Sequence, residues 1–348
     1  MRSFGEPDVL EPSEVPEPEP APGEVRVRVA AVEVARTRDL GTRGGRHPFS
    51  RRVTLPHVLG GECVGVVDAM GDGVGDLAPG TRVGVGTHVV CGDCRRCREG
   101  YDEVCDNLRL LGIDLQGSYA ESLVISRASV TTLPDGLDAL QAGALAAAGP
   151  IATEQLDAGE VGGGTRVLVL GAGGALGSTL VCLAAARGAE VWAVSSRRPE
   201  LLAPLPLAGI VAAGEPSVLD RAGGTFDVVV DNLSLPHLFA AYWPALAVRG
   251  RIVVSGALSA EPLPVPAREL YTKSQSIRGV RSARQATIKR FWEIVAGGFR
   301  LPVETIGSLP LSEAADAHRA VAEGEKLGHL LLTPTGGEWP TVPSANVT

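Results

Sequence analysis

The spacing of apolar positions changes near the middle of the chain. In residues 24–30 (EVRVRVA) apolar and charged residues alternate, which is typical of a half-buried strand, and glycine-rich turns separate further predicted strands at 64–67 and 82–85. From residue 166 onwards, continuous apolar runs alternate with helical stretches. The first 150 residues are therefore predicted to be mainly β, and the part that follows to be α/β.

The strongest strand–turn–helix signal is the sequence RVLVLGAGGALGSTLVCLAAARGAEVWAV at residues 166–194. Its uncharged stretch, 167–186, also has the length of a membrane span, but the glycines at its centre and the strands on both sides argue against that interpretation. Glycine permits a tight turn and the close approach of a phosphate, while the first N–H groups of the helix point at the anion. We therefore expect a dinucleotide pyrophosphate at the loop formed by Gly171, Gly173, Gly174, Ala175, Leu176 and Gly177.

The residues after the second strand of this unit bear on the choice of cofactor. An Asp or Glu there accepts hydrogen bonds from the ribose 2′-hydroxyl of NAD, but this chain has Ser195, Ser196, Arg197 and Arg198. Hydroxyl donors and a guanidinium suit a 2′-phosphate, so NADPH is predicted, with contacts from the first three of these residues. The alternative is that the two arginines only solvate a loop.

Further strands and helices follow in alternation. A strand at 226–230 ends at Asp231 and Asn232, and Asn232 is predicted to lie in the cofactor crevice at the carboxyl ends of the strands. A helix is predicted at 235–247 and a strand at 251–255. The later elements are a helix at 286–297, a helix and strand within 311–332, and a mobile tail at 335–348.

Length, charge and the first residues limit the class of protein. A chain of 348 residues with 45% apolar residues predicts two globular domains. A net charge of −8 and the lack of a dense basic cluster argue against binding of nucleic acid or of an acidic membrane surface. The start, MRSFGEPDVLEP, has no apolar signal-peptide core, so a cytoplasmic protein with a small-molecule substrate is expected.

Four of the six cysteines stand in one short segment with the spacing C-x2-C-x2-C-x7-C. Four thiolates at this spacing suit tetrahedral Zn²⁺, and a site with four protein sulfurs is closed to substrate. An iron–sulfur cluster also takes four cysteines, but the charged residues around the segment favour a solvent-facing zinc loop. We predict one structural zinc per chain, held by Cys91, Cys94, Cys97 and Cys105, and interpret Cys63 and Cys182 as core thiols.

Together these segments resemble the medium-chain dehydrogenase/reductase superfamily, which contains the zinc alcohol dehydrogenases and the quinone oxidoreductases. The resemblance covers nearly the whole chain and includes PGEV at 22–25, LGGECVGVV at 59–67, PGTRV at 79–83, GSYAE at 117–121, GRIV at 250–253 and GHL at 328–330. It implies an α/β fold class: a Rossmann doubly wound parallel sheet domain at 152–285 and a mainly β, GroES-like catalytic domain from 1–151 and 286–348, with the zinc lobe at 91–105. It also implies a homodimer that pairs through the nucleotide-binding domain.

The sequence departs from the zinc alcohol dehydrogenases at their catalytic metal. Those enzymes take a Cys from a Cys-x-x-Asp segment, a His from a Gly-His-Glu segment and a later Cys or acid. By this resemblance the three positions hold Arg36, Gly61 and Pro150, and Glu62 alone survives as a ligand, which does not hold a catalytic zinc. A rebuilt metal site would have to use other nearby residues, namely His47, His57, His88 and Cys63.

Arg36 therefore has two possible roles. Its guanidinium can donate hydrogen bonds to a substrate oxygen in place of the metal, or Arg36 or Arg38 can form an ion pair with Glu62 that replaces the metal structurally. The proton for reduction must come from another group, with Tyr119, His47, His57, Glu62 or water as candidates. The predicted catalytic residues are Arg36, Glu62, Tyr119 and His57.

These observations predict an NADPH-dependent reductase without a catalytic zinc. Loss of the metal favours substrates that need little Lewis-acid help, such as an activated C=C bond of an enone or a C=N bond. One alternative is a carbonyl or alcohol oxidoreductase that uses Arg36 or a rebuilt metal site. The other is a non-redox, NADPH-binding protein on the same fold.

Overall fold

The structure, a computed structural model, describes residues 1–195, 199–212, 221–324 and 326–342. The chain divides into two compact units, one formed by Met1–Ala147 with Trp292–Thr348 and the other by Ala148–Phe291. None of the helices in the described ranges is long and apolar enough to cross a membrane.

The strands are, in chain order, β1 (Glu24–Glu33), β2 (Cys63–Met70), β3 (Arg82–Val85), β4 (His88–Val89), β5 (Arg109–Leu110), β6 (Ser122–Ser126), β7 (Val130–Thr132), β8 (Arg166–Leu170), β9 (Glu190–Ser195), β10 (Gly209–Ala212), β11 (Phe226–Asp231), β12 (Leu246–Val254), β13 (Ser276–Gly279), β14 (Ile306–Pro310) and β15 (His329–Thr333). The longer helices are α1 (Ala139–Ala158), α2 (Ala175–Ala186), α3 (Pro236–Tyr242), α4 (Ala267–Thr272), α5 (Gln285–Ala296) and α6 (Ala314–Glu323).

The first unit is built on a mixed sheet with the strand order β14-β15-β1-β2-β3-β7, in which β6 also pairs with β1. The alternation predicted for β1 is confirmed, because Val25, Val27 and Val29 are fully buried. On the opposite face, Arg26 and Arg28 bind the two oxygens of Asp68 at 2.9 and 2.8 Å. The strand therefore has one apolar face on the core and one charged face.

A single π-helical turn, Arg36–Leu40, follows β1 and leads into the short helix Gly41–Arg43. A π-turn contains one residue more than an α-turn, and such turns are frequent at functional sites. Asp39 lies within this turn and is buried, with its carboxylate accepting a hydrogen bond from the Ala35 N–H at 2.9 Å. The turn thus carries a buried charge that needs further partners.

The second unit is built on a parallel sheet with the strand order β10-β9-β8-β11-β12-β13. Counted from β8 as the first strand, this is the order 3-2-1-4-5-6 of a doubly wound dinucleotide-binding sheet. The predicted fold class is therefore confirmed, including the mainly β character of the other unit.

Two predicted features are wrong in detail. The helix predicted at 235–247 ends at Tyr242, and Pro244 in the next turn has no N–H to continue it, so that β12 begins already at Leu246. The tail predicted to be mobile is docked as far as the structure describes it: the Trp339 indole donates to the Leu137 carbonyl at 2.9 Å and stacks against Arg82. Residues 343–348 lie outside the described residues.

Candidate functional site

The four cysteines of the lobe converge on one point. Their Sγ atoms all lie within 4.8 Å of one another, with Cys91 and Cys94 at 3.5 and 3.9 Å from Cys105. The sulfurs of a tetrahedral zinc site with bonds of about 2.3 Å are about 3.8 Å apart, so the cluster has the size that the ion requires. Backbone N–H groups of Cys91 and Asn107 donate to the Cys105 sulfur, each at 3.4 Å, and help to hold it in place.

The glycine loop lies between β8 and α2. Gly171 has φ +81°, where other residues are strained, and a Cβ on Gly177 would lie 2.8 Å from the Ala172 Cα. These two glycines are required by the fold of the turn itself. A Cβ on Gly173 or Gly174 would meet only ordinary contacts at 3.6 and 3.7 Å, so the protein alone does not require glycine there. Glycine at positions where the fold itself would accept a side chain is what the close approach of a pyrophosphate to the first N–H groups of α2 requires.

Asn232 follows β11 at the carboxyl edge of the same sheet. Its Oδ1 accepts from the Gln155 amide at 2.6 Å, while its Nδ2 is buried without a partner among the described residues. Asp231 holds the turn that follows, because its Oδ1 accepts from the N–H groups of Leu233 and Ser234 at 2.9 and 2.8 Å. A buried amide donor without a partner indicates a missing hydrogen-bond acceptor.

The residues predicted to choose the cofactor lie largely outside the described residues. Ser196, Arg197 and Arg198 are in the range that the structure does not describe, and Ser195 is described only as the last residue of β9. The contact of this corner with a 2′-phosphate therefore stays a prediction from the sequence.

In the first unit, the ion pair with Glu62 that the sequence left open between Arg36 and Arg38 is formed by Arg38. The Arg38 Nε donates to Asp39 at 2.8 Å, and its Nη1 donates to Glu62. The Thr87 hydroxyl donates to the other oxygen of Glu62. We call the group Arg38, Asp39, Glu62, Thr87 and Tyr119 the Arg38 centre; the contacts of its tyrosine are described below.

Gly61 makes room for this arginine. A Cβ on Gly61 would overlap the guanidinium carbon of Arg38, so any side chain at position 61 would displace Arg38. Arg36 instead points away and donates to the carbonyl oxygens of Val321 and Ala322. The prediction that Arg36 replaces the metal thus disagrees with its position, because the π-turn directs Arg38 and not Arg36 at Glu62.

The charges of this centre stabilise one another. Burial alone raises the pKa of Glu62, but the Arg38 guanidinium and the Thr87 hydroxyl outweigh burial and hold it below its usual value. For Arg38, burial lowers the pKa, but the two carboxylates raise it overall, so the guanidinium stays charged. The centre therefore presents a fixed positive group with two carboxylate partners.

Tyr119 joins this centre to a histidine that the sequence did not reveal. The Tyr119 hydroxyl lies 3.2 Å from the Asp39 carboxylate and 3.0 Å from Nε2 of His318, which is on α6. Burial, with Asp39 second, raises the pKa of Tyr119, and burial lowers the pKa of His318 to about 4. The only sequence signal for His318 is its place beside Ala317 on the buried face of an amphipathic helix.

The other candidates lie apart from the Arg38 centre. The backbone of His57 pairs with that of Met1, its ring Nε2 has no partner among the described residues, and burial lowers its pKa. Cys63 is fully buried in the core, as predicted, and burial raises its pKa to about 12. Pro150 is inside α1 and offers no ligand atom. Within the described ranges, the cysteine lobe accounts for every group of three or more possible metal ligands.

Comparison with known proteins agrees with this geometry. The family model described as an alcohol dehydrogenase GroES-like domain matches residues 21–135, and that of a zinc-binding dehydrogenase matches residues 175–297. A probable formaldehyde dehydrogenase of Bacillus subtilis is 31% identical over 75% of this chain and 77% of its own length. An NADP-dependent alcohol dehydrogenase of Mycolicibacterium smegmatis is 32% identical over 64% of this chain and 67% of its own.

Solved structures cover more of the chain. The crystal structure of an NAD-dependent alcohol dehydrogenase is 32% identical and superimposes with a TM-score of 0.87 over 96% of this chain and 98% of its own. A quinone oxidoreductase from Coxiella burnetii is 23% identical with a TM-score of 0.75, over 96% and 97%, and shows the shared fold. The sheet orders, the glycine loop, the cysteine lobe and these matches together show that the chain belongs to the medium-chain dehydrogenase/reductase superfamily of oxidoreductases.

Proposed function

We propose that this oxidoreductase is an NADPH-dependent reductase that acts without a catalytic zinc on an activated C=C bond (enone) or C=N bond of a small organic molecule. The observation that carries the proposal is the Arg38 guanidinium, which fills the space beside Gly61 and is bound by Glu62 and Asp39. A fixed cation and a cationic metal do not share one pair of carboxylates. The chemistry is therefore assigned to hydrogen-bond donors and not to a Lewis acid.

The Arg38 centre supplies what reduction of an enone needs. A guanidinium has five N–H donors, and the contacts of Arg38 with Asp39 and Glu62 use three of them, which leaves two for a substrate oxygen. Hydride addition at the β-carbon places negative charge on that oxygen, and donors that are already in position stabilise it. Tyr119 keeps its proton at neutral pH and is assigned as the proton donor.

The glycine loop is assigned to the cofactor, which when bound supplies the hydride. The residues that would hold it are Gly171, Gly173, Gly174, Ala175, Leu176, Gly177 and Asn232, with Ser195, Ser196 and Arg197 at the 2′-phosphate. The uncrowded Cβ positions of Gly173 and Gly174 and the Asn232 amide nitrogen, which has no partner among the described residues, support this assignment. The Mycolicibacterium relative is named NADP-dependent and the solved relative NAD-dependent, so the ratio of NADPH to NADH turnover is the direct test.

The cysteine lobe is assigned to one structural zinc. Cys91, Cys94, Cys97 and Cys105 would hold the ion, which would fix the fold of the lobe. The support is the distance among the four sulfurs together with the backbone N–H donors to Cys105.

A second candidate function is a carbonyl or alcohol oxidoreductase. The names of several relatives favour it, and the same two donors of Arg38 can polarise a C=O group. The non-redox alternative differs from both in that NADPH would bind but would not be consumed.

The experiment measures NADPH oxidation with enones, imines and ketones, and zinc content on the same preparation. The wild type should hold about one zinc per chain and consume NADPH with enones or imines faster than with ketones. Arg38→Met should lower this turnover about 10²- to 10³-fold and Arg36→Met should retain it, since Arg38, and not Arg36, donates to Glu62. Two zincs per chain, with turnover lost on chelation, would contradict the metal-free assignment.

We assign a homodimer to the edge of the second unit's sheet. The outer strand β13 has four exposed residues, among them Ile277, and Tyr271 and Val248 are 72% and 70% exposed. An open edge with apolar neighbours is a template for pairing with a second copy. Sedimentation should show that the wild type is a dimer and that Ile277→Lys is a monomer. A monomeric wild type would contradict the assignment.

A further inference from the structure

The hydrogen-bond contacts of Tyr119 and His318 show which of their atoms donate and which accept. Both oxygens of Asp39 also accept hydrogen bonds, from Arg38 and from the Ala35 N–H, so the carboxylate acts as an acceptor toward its neighbours. The Tyr119 hydroxyl therefore donates to Asp39, and its oxygen accepts the Nε2–H of His318. Because the neutral imidazole has one N–H, Nδ1 of His318 is an acceptor.

This acceptor is buried and has no partner within the described part of the chain. His318 is completely buried, and its Nδ1 belongs to the buried atoms without a hydrogen bond. Arg43 lies within electrostatic range of His318, is 3% exposed, and has Nε and Nη1 that are likewise buried and without partners. Its third nitrogen is 4.0 Å from the exposed Glu6. Two N–H groups of Arg43 that lack acceptors therefore lie within electrostatic range of the His318 Nδ1, an acceptor that lacks a donor.

We infer that buried water fills the gap between Arg43 and His318 and that His318 passes protons from this water to Tyr119. Water accepts from the N–H groups of Arg43 and donates to Nδ1, which satisfies atoms that are otherwise costly to bury. The groups that face this path are Asp39 and Arg43 at His318, and Arg38, Asp39 and Glu33 at Tyr119. The inference rests on the proposed function only in assigning Tyr119 as the proton donor.

The proton path balances the proposed reduction. When Tyr119 gives its proton to the carbanion or enolate, the phenolate takes the Nε2 proton of His318, and Nδ1 takes a proton from the water. The water regains a proton from solvent, so that one solvent proton is consumed with each hydride, and His318 is left with its proton on Nδ1. Rotation of the imidazole ring between turnovers returns the N–H to Tyr119 and restores the starting state. No other oxidant or reductant is required. His318 does not contact the substrate, and it acts as a positioning and relay residue for Tyr119.

The test compares His318→Gln with wild type in NADPH oxidation, in water and in D2O. A glutamine amide can still donate to the Tyr119 oxygen but cannot pass a proton on, so a structural role would survive this change. We expect kcat to fall about 10- to 100-fold with KM for NADPH unchanged and with a larger solvent isotope effect. Imidazole should restore part of the rate of His318→Ala. Wild-type rate and isotope effect in His318→Gln would overturn the inference.

The matched control is Arg319→Gln, the neighbouring residue on α6. Arg319 is exposed and pairs with Asp8 and Asp316, so this variant should turn over like the wild type. A loss as large as that of His318→Gln would attribute the effect to α6 as a whole and overturn the relay.

A second readout does not depend on turnover. In protein labelled with ¹⁵N-histidine, His318 is identified by the signal that His318→Gln removes. We expect a neutral ring at about pH 6 with the proton on Nε2, and a shift of that nitrogen in Tyr119→Phe. A proton on Nδ1 or a charged ring would overturn the inference. If no substrate is reduced but the ring has this form, the proposed function fails while the hydrogen-bond chain stands.

Discussion

The cysteine lobe and the Arg38 centre belong to the same unit but are encoded in different ways. The four sulfurs of the lobe come from one segment, Cys91 to Cys105, and their spacing alone predicts the cluster that the structure shows. The Arg38 centre joins residues from the turn after β1, from the start of β2, from Thr87 and from Tyr119. A local motif can be predicted from spacing, whereas an assembled site depends on which way each side chain points.

Loss of one cysteine sulfur from the cysteine lobe should have the largest effect on stability. Cys94→Ser leaves three thiolates, which no longer form a closed tetrahedral site. Because structural zinc contributes on the order of 10 kcal/mol to folding of its site, we expect loss of the ion and a large drop in melting temperature. Metal analysis and calorimetry measure both. Unchanged zinc content would show that the lobe is not the site.

Removal of the Arg38 guanidinium should have the next largest effect on stability, and it should also lower activity. Arg38→Met leaves Glu62 and Asp39 without their cation, so the pKa of Glu62 should rise because burial is no longer offset. We expect kcat/KM to fall about 10²- to 10³-fold and stability to fall by about 3 kcal/mol. Activity assays and urea unfolding test this. Losses of activity and stability in Arg36→Met as large as those in Arg38→Met would contradict the assignment of this role to Arg38.

Acid should lower the stability of the folded state through His318, which contacts Tyr119 of the Arg38 centre. Burial lowers the pKa of His318 to about 4, whereas the pKa of an unfolded histidine is 6.5. Between these values the unfolded state binds the additional proton, so stability falls as pH falls, by about 3 kcal/mol in total. Unfolding of wild type and His318→Gln across this range measures the difference. Parallel pH curves would contradict a neutral, buried ring.

The smallest effect on stability is expected in the glycine loop, the second local motif. Gly174→Ala adds a Cβ that meets only ordinary contacts, so stability should change by about 1 kcal/mol or less, yet the Cβ would occupy the space assigned to the pyrophosphate. NADPH affinity, measured by fluorescence titration, should fall about tenfold or more. Gly177→Ala is the contrast, because its Cβ meets backbone and should destabilise the fold. Unchanged NADPH affinity in Gly174→Ala would contradict the assignment.

The fold and the local motifs could be predicted from the sequence, but the assembled site could not. Periodicity and glycine positions are sufficient for β1, β8, β9, β11 and β12 and for the loop before α2, because these signals are local, whereas the fold class as a whole is what the family resemblance implies. His318 was missed, since a lone histidine near the end of the chain gives no sign that it meets Tyr119, about 200 residues earlier. The pattern Cys-x-x-Asp points to Arg36, and the sequence leaves the ion pair with Glu62 open between Arg36 and Arg38, because spacing does not show which of the two side chains reaches Glu62.

The π-turn at Arg36–Leu40 also bears on how such proteins are sorted by motif. Counting back from Asp39 places Arg36 at the cysteine of a Cys-x-x-Asp pattern, but the side chain that reaches Glu62 from this turn belongs to Arg38. A pattern search therefore reads this site as a cysteine exchanged for arginine. In the structure Arg38 of the same turn reaches Glu62, and the glycine at position 61 leaves the space for its guanidinium, so the motif alone does not identify the residue that occupies this place.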